Sequence, residues 1–361
     1  MSKIDEARKE INVIDKEMAE LFEKRMEAVK EIANFKKENG ISILDSKRED
    51  EIINSNSLNI KDVVVREYYV NFIKEVMSES KKYQMRLNSG MKIAYTGVPG
   101  AFAYIAAKKM FPNCEYVAFP DFKKAYNSVV DGLCDCVVLP IENSTAGDVG
   151  NVLDLIYTGS LHINQVMSVD IVQNLLAVKG ATKETIKTVY SHPQALAQSS
   201  EYIRSHNYDE IECVNTAIAA KSVSEKNDIS IAAIASNETA SLYNLEIIEA
   251  NINSNKNNST RFACFSRVLN ENKKSEPNMN FIICFTVANE AGSLANALNI
   301  IGSNGFNMRN LRSRPMKNSL WKYYFYAELE GNIFSEAGKD LMIQLKTVCD
   351  DLKLIGTYSI N

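Results

Sequence analysis

Histidine, proline and tryptophan are scarce in this chain, whose 361 residues include three His, seven Pro and one Trp. Three histidines leave little room for a His-rich metal centre. The seven cysteines, at 114, 134, 136, 213, 264, 284 and 349, are odd in number and scattered. Cys134-Asp-Cys136 has no second pair at zinc-ligand spacing, so reduced, partly buried thiols are expected rather than a metal site. An excess of either charge is also missing. With 41 Lys+Arg against 45 Asp+Glu, the formal charge of -4 supplies no global attraction for nucleic acid or anionic lipid. No apolar run approaches the roughly 18 residues of a membrane span. The charged, amphipathic start MSKIDEARKEINVID has the form of neither a signal peptide nor a transit peptide. A cytoplasmic protein without metal, cofactor, membrane or nucleic-acid partners is expected, with ample length for two or three domains.

Composition shifts divide the text in three. Residues 1–88 hold one Gly (Gly40) and no Pro, in long helical patterns. Residues 91–267 alternate short β-rich runs with helical stretches. The polar stretch Asn270-Glu-Asn-Lys-Lys-Ser-Glu-Pro-Asn278 reads as a linker, and 279–361 as a small third unit. The Asn-rich segment 251–259 reads as a flexible low-complexity loop.

In the first helix Ile4, Ile11, Met18 and Ile32 share one heptad position, and Ile14, Leu21, Ala28 and Phe35 another. Such a seam needs partner helices. Arg25 falls on the position of Met18 and Ile32, inside the stripe, with Arg8 and Lys36 flanking it. A buried guanidinium needs a counter-anion, although cations snorkelling at a bundle edge would give the same pattern. Gly40 ends this helix. Asp45 caps a short second one with Arg48 and Glu49 in its first turn. A third helix, about 62–87, turns Val65, Tyr69, Ile73 and Val76 inward, and continuing at helical spacing, Ser80 and Gln84. Cations and neutral polar groups aimed at one interior suit a small dianion. Arg8 and Arg25 stand seventeen residues apart, about 25 Å along one helix, so they cannot grip one ligand within a single chain. An antiparallel partner would bring a second Arg8 beside Arg25, which predicts an intertwined dimer.

These positions resemble the all-helical class of chorismate mutase, whose pattern is met at Arg8, Arg25, Lys36, Asp45, Arg48, Glu49, Ser80 and Gln84. The resemblance implies that Arg25 and Arg48, with a partner's Arg8, hold the two carboxylates of chorismate. Lys36 and Gln84 would face the ether oxygen, and Glu49 a hydroxyl. The rearrangement to prephenate is pericyclic, so positive charge where the breaking C–O bond gains electron density is enough.

In the middle unit, strand-like runs deliver polar clusters at their ends. Lys92–Tyr95 leads to Thr96-Gly-Val-Pro-Gly100, Val137–Pro140 to Glu142-Asn143-Ser144, and Thr188–Tyr190 to Ser191-His192-Pro193-Gln194-Ala195. Ser230–Ala235 enters a helix at Ser236, and Asn258-Ser-Thr260-Arg261-Phe262 opens an alternating strand. Any one of these is most often a cap or a turn. Together they resemble prephenate dehydratase throughout. That resemblance implies two lobes of periplasmic-binding-protein type with prephenate in the cleft. Thr260 would be the catalytic threonine, donating a hydrogen bond to the departing hydroxyl. Glu142, Asn143, Ser144, Ser191, His192 and Gln194 would contact the substrate, with His192 either catalytic or capping. Arg261 would support the fold or a carboxylate. The family often has a His before the Leu-Leu where this chain reads Asp170-Ile-Val-Gln-Asn174-Leu-Leu, which leaves substrate contacts there open to change.

The last unit gives strand 280–287, helix 292–303, strands 306–313 and 321–329, helix 335–350 and strand 352–360, the ferredoxin-like order. Gly292-Ser293-Leu294-Ala295 and Arg312-Ser313-Arg314-Pro315 resemble the effector motifs of ACT regulatory domains, implying L-phenylalanine as effector. The second motif normally begins with Glu, and a purely structural dimerisation module is the alternative. The expected whole is a multidomain chain: an all-α mutase dimer, a two-lobed α/β dehydratase and an α+β ACT domain, assembled as homodimer or homotetramer. Together they would convert chorismate through prephenate to phenylpyruvate. Two readings compete with it: a non-catalytic amino-acid sensor, and a dehydratase with a vestigial helical dimeriser.

Overall fold

The computed structural model describes residues 2–271, 279–316 and 322–359. Most of the polar linker, Trp321 and the end of the last strand lie outside the described residues. The chain divides into two compact units, 1–91 and 92–361.

The first unit is three helices, α1 (Lys3–Glu38), α2 (Ser46–Ser57) and α3 (Val63–Ser89). Ser2 and Asp5 form a capping box at the start of α1. Asp45 caps α2 by accepting from the Arg48 amide at 3.0 Å. Helix α1 packs on α3 through Val29 and Ala33, which meet the face of Ile73, Met77, Ser80 and Gln84. The heptad seam is a different stripe. Ile4, Ile11, Ile14, Met18, Leu21, Ile32 and Phe35 all stay exposed, as does Val65 of the expected α3 face. The apolar residues of the seam therefore stay largely uncovered inside one chain, and Arg25 is the member that reaches α3.

The second unit begins with β1 (Lys92–Thr96), α4 (Phe102–Met110), β2 (Glu115–Phe119), α5 (Phe122–Val130), β3 (Cys136–Asn143), β4 (Gly147–Asp148), α6 (Gly150–Thr158) and β5 (His162–Asp170). A second lobe follows, with β6 (Asn174–Ala177), β7 (Thr188–Ser191), α7 (Pro193–Gln198), α8 (Ser200–Ser205), β8 (Asp209–Glu212), α9 (Thr216–Lys226), β9 (Ile231–Ala235), α10 (Asn237–Leu242) and β10 (Glu246–Glu249). Strand β11 (Ser259–Ser266) then returns to the first lobe, between β3 and β5. The chain thus crosses between lobes twice, at 171–173 and 250–258.

The Asn-rich segment expected to be a flexible loop is the return crossing, and its asparagines stitch it down. Asn253 and Asn258 are buried. The Asn253 amide donates to Ile171 O at 2.8 Å, and its Oδ1 accepts from the Gln173 amide at 2.6 Å. Asparagine suits the task because its side chain satisfies backbone groups that a crossing strand leaves open.

The chain ends in β12 (Met279–Thr286), α11 (Ser293–Ser303), β13 (Asn307–Pro315), β14 (Tyr323–Glu330), α12 (Glu336–Leu345) and β15 (Asp351–Ser359). Helix α12 stops five residues before the expected end, in successive turns at 346–348. The antiparallel sheet β13-β14-β12-β15 continues into the first lobe, where Gly356 pairs with Ile163. A Cβ on Gly356 would stand 1.9 Å from Ile163 O, so only glycine permits that join. One face of the sheet packs on α11 and α12 through Phe281, Ile283 and Phe285. The other, with Ile282, Cys284, Tyr324 and Tyr326, shares a core with Val137, Leu139 and Ile156 of the first lobe. The composition break at 270–278 is therefore not a break in packing.

Candidate active sites

Between the two lobes lies a cleft of about 620 Å³. Four segments expected to carry chemistry meet there, contributing Gly97, Asn143, His192 with Gln194, and Thr260. The alternation of strands decides which neighbours join them. On β11, Thr260 faces the cleft and Arg261 turns away. On β3, Asn143 faces it and Glu142 turns away.

Asn143 is saturated. Its Nδ2 shares two hydrogens among three acceptors, Thr260 Oγ1 at 2.9 Å, Asn258 Oδ1 at 2.9 Å and Ser259 O at 3.1 Å. Its Oδ1 accepts from the amides of Thr145 and Ala146. Because the amide donates into Thr260 Oγ1, the hydroxyl proton is left to point elsewhere, and it donates to no protein group among the described residues. A hydroxyl so held is a hydrogen-bond donor aimed at whatever occupies the cleft.

His192 lines the cleft and caps α7, accepting through Nδ1 from the Gln194 amide at 3.2 Å. Burial holds its imidazole below the usual histidine range, so it is neutral at pH 7. Helix α9 also points its N-terminus here, with Asn215 capping by accepting from the Ile218 amide at 2.8 Å. Such a terminus suits an anion. Asn215 and Thr216 escaped the sequence reading, although Asn-Thr before an Ala-rich stretch is a legible helix start.

Glu142, Ser144, Ser191 and Arg261 do not line this cleft, contrary to expectation. Ser191 is fully buried and donates to Ile234 O at 2.6 Å. Ser144 joins the crossing, accepting from the Ser259 amide at 3.0 Å. Arg261 grips the buried carboxylate of Glu328, at 2.8 and 3.0 Å, and reaches Glu142 at 3.1 Å and the Tyr358 hydroxyl at 2.9 Å. Burial alone would depress the guanidinium. The hydrogen bonds and charge of Glu328 outweigh it and hold Arg261 above its ordinary range.

The arginines of the 312–315 motif also face the first lobe. Arg312 pairs with Glu142 at 3.0 Å and Asp148 at 2.7 Å, and Arg314 with Asp154 at 3.0 Å. Ser313 and Pro315 are exposed. At the other motif, Gly292 opens α11 with φ 87°, a left-handed conformation that favours glycine, followed by Ser293, Leu294 and Ala295.

In the helical unit, Arg25 donates to Ser80 Oγ, and no carboxylate among the described residues pairs with it. Burial depresses its guanidinium. One turn beyond Ser80 the buried Gln84 carries an Oε1 without a hydrogen-bond partner among the described residues. Glu49, expected to face a substrate hydroxyl, is held at 3.0 Å by Lys81, which the sequence reading did not single out. Lys36 donates to Ile43 O at 2.9 Å, and exposed Arg48 pairs with Glu51. Arg8 lies on the exposed half of α1, far from Arg25.

A half-buried arginine with no carboxylate partner among the described residues, beside a buried amide, and a hydroxyl donor in a two-lobed cleft mark two separate candidate small-molecule sites. Residues 7–85 match the family described as chorismate mutase type II, and residues 93–269 that described as prephenate dehydratase. A bifunctional chorismate mutase/prephenate dehydratase of Buchnera aphidicola is 30% identical over 97% of this chain and 95% of its own. Among solved structures, a prephenate dehydratase from Arthrobacter aurescens in complex with L-Phe superposes with a TM-score of 0.68 at 26% identity, over 74% of this chain and 90% of its own. GqqA, described as a novel type of quorum quenching acylases, gives 0.69 at 27% identity over 75% and 98%. The chain belongs to the bifunctional chorismate mutase/prephenate dehydratase family. It rearranges chorismate to prephenate and converts prephenate to phenylpyruvate.

Proposed function

We propose that residues 1–88 form a mutase completed by a second chain, 91–267 a two-lobed dehydratase of periplasmic-binding-protein type, and 279–361 a ferredoxin-like ACT domain that responds to L-phenylalanine. The enzyme works in the cytoplasm as a homodimer or homotetramer, without cofactor.

Dimerisation is supported by α1, of which residues 3–24 are exposed without exception. A seam of Ile4, Ile11, Met18 and Leu21 left in water is unfavourable, and an antiparallel copy would cover it. The partner subunit's Arg8 then joins Arg25 and Arg48 on the carboxylates of chorismate. Lys36 and Gln84 meet the ether oxygen as its negative charge grows, and Asp45, Glu49 and Ser80 shape the pocket around the ring. No proton needs to move, so fixed donors do the catalysis.

In the cleft, prephenate presents two carboxylates, a keto group and a ring hydroxyl. Thr260 donates to the hydroxyl oxygen as the C–O bond lengthens. The C–C bond to the ring carboxylate breaks with it, CO2 departs and the ring becomes aromatic. His192, Gln194 and the start of α9 orient the dianion. The observation that carries this reading is the Asn143 amide, whose hydrogen bond to Thr260 Oγ1 leaves that hydroxyl proton for the substrate.

The effector reading draws on the Arthrobacter aurescens relative, which holds L-Phe. With Arg312 and Arg314 engaged on the first lobe, the effector carboxylate falls to the backbone of Gly292–Ala295, beside Ser313 and Pro315 of a neighbouring motif. Arg312 gives such binding a route to chemistry, because its partner Glu142 adjoins Asn143. Purified protein supplied with chorismate should form prephenate and then phenylpyruvate, and L-phenylalanine should lower the second rate. Absence of both products would favour a non-catalytic sensor. Dehydratase turnover without mutase turnover would favour a vestigial helical unit. Rates and oligomer size indifferent to L-phenylalanine would reduce the last unit to a structural module.

A further inference from the structure

Gln173 is 2% exposed, yet it lines the cleft that holds Thr260. It sits on the first crossing between the lobes, pinned on both sides. Its backbone amide donates to Asn253 Oδ1 at 2.6 Å, and its carbonyl accepts from the Ile252 amide at 2.9 Å. Its side chain is not spent in the same way, for Oε1 is buried without a hydrogen-bond partner among the described residues. A buried acceptor left unpaired is costly, and one on a rigid crossing in a ligand cavity asks for a donor from the ligand.

We infer that Gln173 is a substrate-binding residue of the dehydratase, its Oε1 accepting a hydrogen bond from the ring hydroxyl of prephenate. With both carboxylates ionised, that hydroxyl is the only hydrogen-bond donor prephenate possesses, so an unpaired acceptor in its site has one possible partner. Thr260 donates to the hydroxyl oxygen while Gln173 accepts its hydrogen. Together they fix the torsion of the leaving group and aim an oxygen lone pair at Thr260. The oxygen keeps this hydrogen while the C–O bond breaks, so the contact exists in ground and transition states alike. It should therefore act on KM more than on kcat.

The inference rests on the cleft being the prephenate site, and product binding separates the two. Phenylpyruvate has lost the ring hydroxyl but keeps the side chain of prephenate. In the full-length enzyme, Gln173→Met retains volume and removes the acceptor. The expected result is a roughly tenfold higher KM for prephenate, as for one lost hydrogen bond. The inhibition constant of phenylpyruvate should stay unchanged, and Tm should not fall, since an apolar group replaces an unpaired polar one. A parallel rise in KM and in the phenylpyruvate constant would overturn the inference by showing a general disturbance. An unchanged KM would also overturn it. Should Thr260→Ala leave phenylpyruvate formation intact, the cleft reading itself fails, whatever Gln173→Met does.

Discussion

The helical unit and the cleft unit solve the same problem, holding a dianion, with opposite economies. Three helices in about ninety residues cannot cover a seam as long as α1, and the seam stays exposed in the protomer. Of their cations Arg25 is half-buried, while Arg8 and Arg48 stay exposed. The cleft unit is three times larger and closes its site with its own second lobe. Its cleft is lined mainly by neutral groups, a hydroxyl, amides and helix termini, with Asp121 the one carboxylate among the lining residues. The difference follows from the chemistry. A pericyclic step develops charge on one ether oxygen and rewards a nearby cation, whereas loss of hydroxide with CO2 is driven by aromatisation and needs a placed donor.

Crossed substitutions test that separation most severely. Thr260→Ala should lower phenylpyruvate formation about 100-fold or more, the scale of a lost transition-state donor, with mutase turnover near wild type. Lys36→Ala should lower mutase kcat by about 100- to 1000-fold, with dehydratase turnover and assembly retained. Either variant losing both activities would show that the two sites are not independent. Next in size is the seam. Ile14→Glu combined with Leu21→Glu should abolish pairing of the helical units and most mutase turnover, while the dehydratase persists. Sedimentation at low concentration, read beside both rates, checks this, and full mutase turnover would refute completion by a second chain.

The smallest effect concerns acid. His192 is held below its ordinary value of 6.5, by burial first, with Glu212 opposing. An unfolded chain takes up this proton near pH 6.5 and the folded one resists it to lower pH. Stability is thus intact above 6.5 and declines as pH falls below it. Protonation would also remove the acceptor that caps α7. Melting curves between pH 7 and 5 should show a small Tm loss in the wild type and a smaller one in His192→Asn, which keeps an acceptor at the cap. Identical pH dependence would clear His192 of any role in acid sensitivity.

Much of the cleft was legible as text. The strand-like runs 137–140 and 188–190, the alternating strand opened by Asn258–Phe262 and the cap at His192 all follow from residue preference, alternation and turn chemistry. Glu142 turns away from the cleft, and Arg261 takes the fold-supporting one of its two expected roles, for a physical reason. A period of two says that Glu142 and Asn143 point to opposite faces, but not which face meets the ligand. The carboxylate of Glu328 settles it, 67 residues from Arg261 in sequence and fully buried. Gln173 was not singled out, although its segment departs from the family pattern, and Lys81 was overlooked because nothing local distinguishes a pairing lysine from ordinary polar surface. The Asn-rich segment misled because composition reports the absence of apolar residues, not the presence of backbone groups in need of partners.

The order of elements in the last unit and caps such as Asp45 and His192 were determined by the sequence alone, since each depends on contacts within a few residues. Only the tertiary structure decided that Asn143 spends its whole amide on its own chain, that the arginines of the 312–315 motif clasp the first lobe, and that Gln173 keeps one oxygen unpaired. Those outcomes hinge on groups that chain topology brings together from distant positions, and no local pattern encodes such meetings.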